Sequence, residues 1–137
     1  MKKNTIIRIL AIASFVTFFI SCKRTTFDDK ISVDTKEFTQ KNCPQELDSY
    51  TRMDSMSYDR KSRTINYYYA VKDLLDVDSI YTESTIEDFR SDLLEDIRTS
   101  IPLKEHKEEG ISFRYVYVSS TRGNVLMDIT LTKEDYD

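Results

Sequence analysis

The sequence predicts an α+β domain: a four-stranded antiparallel sheet, in the order β-β-α-β-β, packed on one main helix. Three observations predict it. Ile65, Tyr67, Tyr69 and Val71 alternate with Thr64, Asn66, Tyr68 and Ala70, the period of two of a pleated strand. A second alternation, Ile111, Phe113, Tyr115, Tyr117, is followed after a polar loop by Val125, Met127, Ile129, Leu131, and reads as a hairpin. Between them Ile86, Phe89, Leu93, Leu94, Ile97 and Ile101 fall at helical spacing, a single apolar stripe.

The flanking signals agree. Ser84 and Glu87 have the spacing of a capping box, and Pro102 ends the regular pattern. Gly110 can stop a short helical turn after Leu103. Asp59-Arg60-Lys61-Ser62 reads as the turn of a first hairpin, whose leading strand spans Leu47 to Tyr58. In that strand Tyr50, Thr51, Met53 and Met56 do not share one face, which predicts a bulge or bend. Two joined hairpins under one helix give a two-layer domain. The opposite face would carry Tyr68, Val116, Val118 and Leu126, more apolar than a fully wet sheet needs.

The N-terminus reads as an address. Lys2, Lys3 and Arg8 precede an uncharged run from Ile9 to Ile20. That run is shorter than the roughly 20 apolar residues of a spanning helix. A basic start, an apolar middle and a small residue before a cleavage point match a signal peptide. Phe19-Ile20-Ser21-Cys22 resembles the lipobox of bacterial lipoprotein precursors, with Phe19 in place of the usual Leu. The resemblance implies cleavage before Cys22 and acylation of that residue, palmitate being the expected thiol modification. With Lys23 next, it implies sorting to the outer membrane, facing the periplasm. Cleavage without lipidation, leaving a Cys22–Cys43 disulfide, and an uncleaved anchor remain open alternatives. The organisation that follows is a signal peptide over 1–21, a lipidated Cys and flexible tether over 22–42, and a single domain over 43–137.

Cleavage leaves 116 of the 137 residues, enough for one core. Loss of three basic residues moves the net charge from −4 to −7. An acidic chain without a basic cluster has no nucleic-acid footprint. Pro44 to Met53, Ile65-Asn66-Tyr67-Tyr68-Tyr69, and Gly110 to Tyr115 before Gly123-Asn124 loosely resemble small uncharacterised secreted domains. The resemblance covers most of residues 43–131 and implies no activity.

The residues hold little chemistry. His106, the single histidine, sits in the charged run Lys104 to Glu109 and reads as a solvated surface residue. There is no phosphate loop and no nucleophile elbow. Asp73, Asp76 and Asp78 lack the spacing of a calcium loop and read as a solvated stretch. Cys43 reads as a small, buried apolar residue, with an intermolecular disulfide as the alternative. The sequence therefore predicts no enzyme, cofactor or metal. It predicts a membrane-tethered envelope module with a protein partner, and Tyr68, Val116 and Val118 are its candidate binding residues. The alternative is an inhibitor or immunity-type lipoprotein that blocks a hydrolase, an acidic body capping a basic cleft.

Overall fold

A computed structural model describes residues 25–137. The segment read as a signal peptide and Cys22 lie outside the described residues. The first element is helix α1 (Phe27–Asn42), where the sequence predicts part of a tether. Thr26 caps it: its Oγ1 accepts the Asp29 amide at 3.1 Å, while the Asp29 carboxylate accepts the Thr26 amide at 3.0 Å. This reciprocal box satisfies amides that have no partner within the helix. Asp28 and Asp29 also suit the positive end of the helix dipole. Phe27, Ile31 and Thr35 form the inward stripe. Thr35 reads as polar in sequence but is buried, because its hydroxyl donates to the Ile31 carbonyl at 2.9 Å.

The sheet has five strands in the order β1-β2-β3-β4-β5: β1 (Gln45–Glu46), β2 (Thr51–Asp59), β3 (Thr64–Val71), β4 (Ser112–Ser119) and β5 (Val125–Leu131). Both expected hairpins form, β2 with β3 and β4 with β5. The predicted four-stranded antiparallel sheet is nevertheless incorrect. β1 adds a short edge, and β3 pairs with β4 in parallel, so the sheet is mixed. The long connection carrying a helix explains the parallel pairing. A crossover returns the chain to the starting end of the sheet, whereas a tight turn would reverse it.

The expected irregularity of β2 is a bulge at Asp54. Met53 pairs with Tyr69 and Ser55 with Tyr68. Thr51 and Met53 face the helices before it, Met56 and Tyr58 after it. One inserted residue thus restores the inward phase that the sequence lacks.

Helix α2 (Glu83–Thr99) begins before the predicted Ser84 cap. Thr82 is the cap and accepts the Thr85 amide at 3.2 Å. Ile86, Phe89, Leu93, Leu94 and Ile97 pack inward. Ile101, assigned to the same stripe, lies past the helix end and is 84% exposed. The short α3 (Lys104–Glu108) follows, and Gly110 takes φ +70° as it leaves the turn. Lys107 Nζ donates to the Ile97 and Arg98 carbonyls at 2.9 and 2.8 Å, closing the end of α2. A last turn, α4 (Lys133–Tyr136), is capped by Thr132 and Asp135. It buries Tyr136, whose hydroxyl donates to the Ile111 carbonyl at 2.8 Å.

Helices α1 and α2 cover the same sheet face. α1 lies against β2, and α2 lies toward β5 and α4. Ile65, Phe113, Ile129 and Leu131 fill the core beneath them. Among the described residues no helix is long and apolar enough to cross a membrane.

Candidate binding groove

Between the two helices, β3 and β4 present a row of tyrosines. Parallel pairing sets Tyr67 opposite Tyr115 and Tyr69 opposite Tyr117. The rings stack at centroid distances of 4.9 and 4.7 Å. Burial raises all four hydroxyl pKa values, that of Tyr69 to about 12. This row leads to the end of the sheet where β3 and β4 finish and β2 and β5 begin.

An apolar cavity of about 380 Å³ opens there. Thr51, Val71, Tyr117 and Met127 form its floor. Phe89 and Thr85, from the first turns of α2, form one wall. Leu75, Ile80 and Tyr81 form another, and the segment before β2 contributes Leu47 and Asp48. Leu47 is 50% and Ile80 37% exposed, so the rim offers apolar surface to solvent. The volume lies near the small end of the roughly 300–1,000 Å³ range of ligand clefts.

The wall between β3 and α2 owes its shape to two single 3-10 turns, Asp73–Leu75 and Asp78–Ile80. Tyr81 locks them by donating its hydroxyl to the Leu75 carbonyl at 2.9 Å. Arg122, from the β4–β5 loop, bridges Asp76 and Asp78. The Ser119 hydroxyl, the Thr121 amide and Arg122 hold the Asp76 carboxyl well below its ordinary range. Two members of the acidic cluster therefore form a clamp between the linker and a sheet loop. Among the described residues no group of three or more His, Cys, Asp or Glu side chains has the geometry of a metal site.

Three polar side chains lining the cavity, Asp48, Tyr81 and Thr85, are engaged locally. Asp48 Oδ1 accepts the Tyr50 and Thr51 amides at 2.7 and 2.8 Å. The Thr85 hydroxyl pairs with that of Thr82 at 2.9 Å. The arrangement is suited to holding apolar matter.

The structure brings Tyr68, Val116 and Val118 together on adjacent strands, on the sheet face away from the helices and not in the groove. Val116 lies in register between Tyr68 and Asp128 and is only 3% exposed. Arg114 grips Asp128 through two bonds, at 2.8 and 2.6 Å, on the same face. His106 is not a solvated residue. It is half-buried, its ring meets Phe27 edge-on at 5.4 Å, and its Nδ1 has no hydrogen-bond partner among the described residues. Cys43 caps the end of α1 as a half-buried thiol, unpaired among the described residues, and burial raises its pKa.

The chain belongs to the family described as a domain of unknown function, DUF8479, whose model matches residues 26–127. No curated protein matches it in sequence. Solved structures share its fold. A protein of Pseudomonas aeruginosa described as secreted has 8% identity and a TM-score of 0.64, over 83% of this chain and 100% of its own. EpsS, a pilotin of the Vibrio vulnificus type 2 secretion system, has 13% identity and a TM-score of 0.58, over 79% and 89%. The type 2 secretion pilotin AspS of Vibrio cholerae has 14% identity and a TM-score of 0.53, over 77% and 88%. At such identities the likeness establishes the fold. The family match begins at Thr26 and so takes in α1, which the sequence reading leaves outside the folded domain.

Proposed function

We propose that this DUF8479 protein is a non-catalytic binding module of the cell envelope, tethered by lipid on Cys22, whose groove holds an apolar segment of another envelope protein. The observation that carries the reading is the cavity between α2, its linker and the sheet end, with Leu47 and Ile80 exposed at its rim. Exposed apolar surface around a concave site is a signature of binding. The fold shared with two secretion pilotins supports an accessory role in assembling an envelope machine. Asp48, Tyr81 and Thr85 at the groove are tied into local hydrogen bonds, which favours binding over chemistry.

Photo-crosslinking in intact cells tests the reading. A crosslinker replacing Ile80 is expected to give a discrete adduct with one envelope protein. The same group at Val33, 53% exposed on α1, is expected to give none. Adducts of equal yield at both positions, or none at position 80, contradict it. The tether is tested separately by intact mass: an unmodified Cys22 thiol in the mature protein removes it.

A further inference from the structure

The surroundings of the groove are one-sided in charge. The segments that build its rim carry Glu46, Asp48, Asp73, Asp76, Asp78 and Glu83 against only Lys72 and Arg122. Both cations are already engaged, Lys72 with Glu46 and Arg122 with Asp76 and Asp78. Among the described residues Asp48, Asp73 and Glu83 have no ion-pair partner. Asp48 lines the cavity itself. Asp73 and Glu83 bracket the linker whose Leu75, Ile80 and Tyr81 form the wall.

These charges bear on the groove. The Asp48 carboxylate adds to the rise in the Tyr117 hydroxyl pKa at the floor, and Asp76 does the same to Tyr81 in the wall. An apolar cleft with low-dielectric walls and one sign of charge around it focuses potential outward. A purely apolar occupant would leave Asp48, Asp73 and Glu83 without a counter-charge. An acidic one would be repelled.

We infer that the groove's occupant is a polypeptide segment with an apolar centre and lysine or arginine at its flanks. The inference rests on the binding reading above and adds the partner's charge pattern. Apolar side chains enter the cavity over Tyr117 and Met127, while the flanking cations meet Asp48 on one side and Asp73 and Glu83 on the other. The basic ends speed encounter and fix register, and the apolar centre supplies most of the hold.

The test uses the purified protein and two synthetic peptides with the same leucine-rich centre, one flanked by lysines and the other by glutamates. Binding is measured by calorimetry at about 0.1 M and about 1 M salt, over which the screening length falls from about 10 Å to about 3 Å. The lysine-flanked peptide is expected to bind about tenfold more tightly at low salt, and less than about threefold more tightly at high salt. The triple variant Asp48→Asn, Asp73→Asn, Glu83→Gln is expected to lose the preference while retaining the high-salt affinity. The double variant Leu47→Ser, Ile80→Ser is expected to weaken both peptides about tenfold. Equal binding of both peptides overturns the charge pattern and leaves the groove reading standing, as does a preference that survives in the triple variant. Failure of both peptides to bind overturns the groove reading and this inference together.

Discussion

The Phe89 ring stands edge-on to Tyr117, with centroids 5.4 Å apart and planes at 86°. This contact joins the wall of the groove to its floor and sets the opening between α2 and the sheet. An aromatic pair of this kind contributes about 0.5–1.5 kcal/mol beyond the area it buries. Phe89 is half-buried, so Phe89→Ala is expected to cost about 2 kcal/mol, below the range for a fully buried Phe. The urea midpoint should fall with an unchanged slope, and apolar peptide binding should weaken more than tenfold. Native affinity in the variant would mean that the wall does not shape the site.

Thr39 closes the exposed edge of β2. Its hydroxyl donates to the Met56 carbonyl at 2.7 Å and accepts the Met56 amide at 2.8 Å. One side chain thereby stands in for a neighbouring strand and masks an edge that would otherwise template pairing with another chain. Thr39→Val keeps the shape but leaves two backbone groups unpaired, a loss of about 1–3 kcal/mol. Chemical denaturation should show it, and Thr39→Ser should recover most of it. Equal stability of the Val and Ser variants would show that the bonds contribute nothing.

His106 predicts a pH dependence on the acid side. Burial lowers its pKa from 6.5, with Lys30 acting in the same direction and Glu105 and Asp34 opposing. The folded protein therefore holds the neutral ring more strongly than the unfolded chain does. Its contribution is complete above the unfolded value of about 6.5. It is lost as pH falls through the folded value, because the unfolded state then binds the extra proton. Stability should decline as pH falls below about 6.5, and His106→Phe, which keeps the packing on Phe27, should flatten that slope. The lowered carboxyl pKa of Asp76 acts in a separate window below its ordinary value of 3.8. A wild-type slope that persists in the Phe variant contradicts the assignment.

The four stacked tyrosines predict the alkaline side. Burial raises their pKa values above 10.0, so the folded state favours their neutral form. Their contribution is complete below about pH 10 and is lost as pH rises, because the unfolded chain releases its protons first. Tyrosinate absorbance from Tyr67, Tyr69, Tyr115 and Tyr117 should therefore appear together with the loss of circular dichroism. Ionisation of these four within a native spectrum would contradict their burial.

Strand alternation and the α2 stripe were legible because each apolar residue lies one or two helical turns, or one pleat, from the next. The parallel pairing of β3 with β4 was not. Alternation gives a strand its faces but not its direction, and the direction follows from the crossover between Val71 and Ser112. α1 was hidden because its stripe passes through Thr35, which buries only by returning its hydroxyl to Ile31. The groove was hidden because Leu47, Val71, Ile80, Phe89 and Tyr117 come from separate segments that meet only in the fold. One signal was present: Leu74, Leu75, Val77, Ile80 and Tyr81 are apolar residues in a stretch with no regular period. The sheet face chosen from sequence, around Tyr68, is apolar in pattern, but its central Val116 is already buried.

Methyl NMR during titration with the lysine-flanked, leucine-rich peptide tests the central claim most directly, since it locates the occupied surface. The account predicts that the methyls of Leu75, Ile80 and Met127 shift in proportion to bound peptide, while those of Val116 and Leu126, on the helix-free face, stay in place. Shifts confined to Val116 and Leu126, or none at the groove residues under saturating peptide, would contradict it.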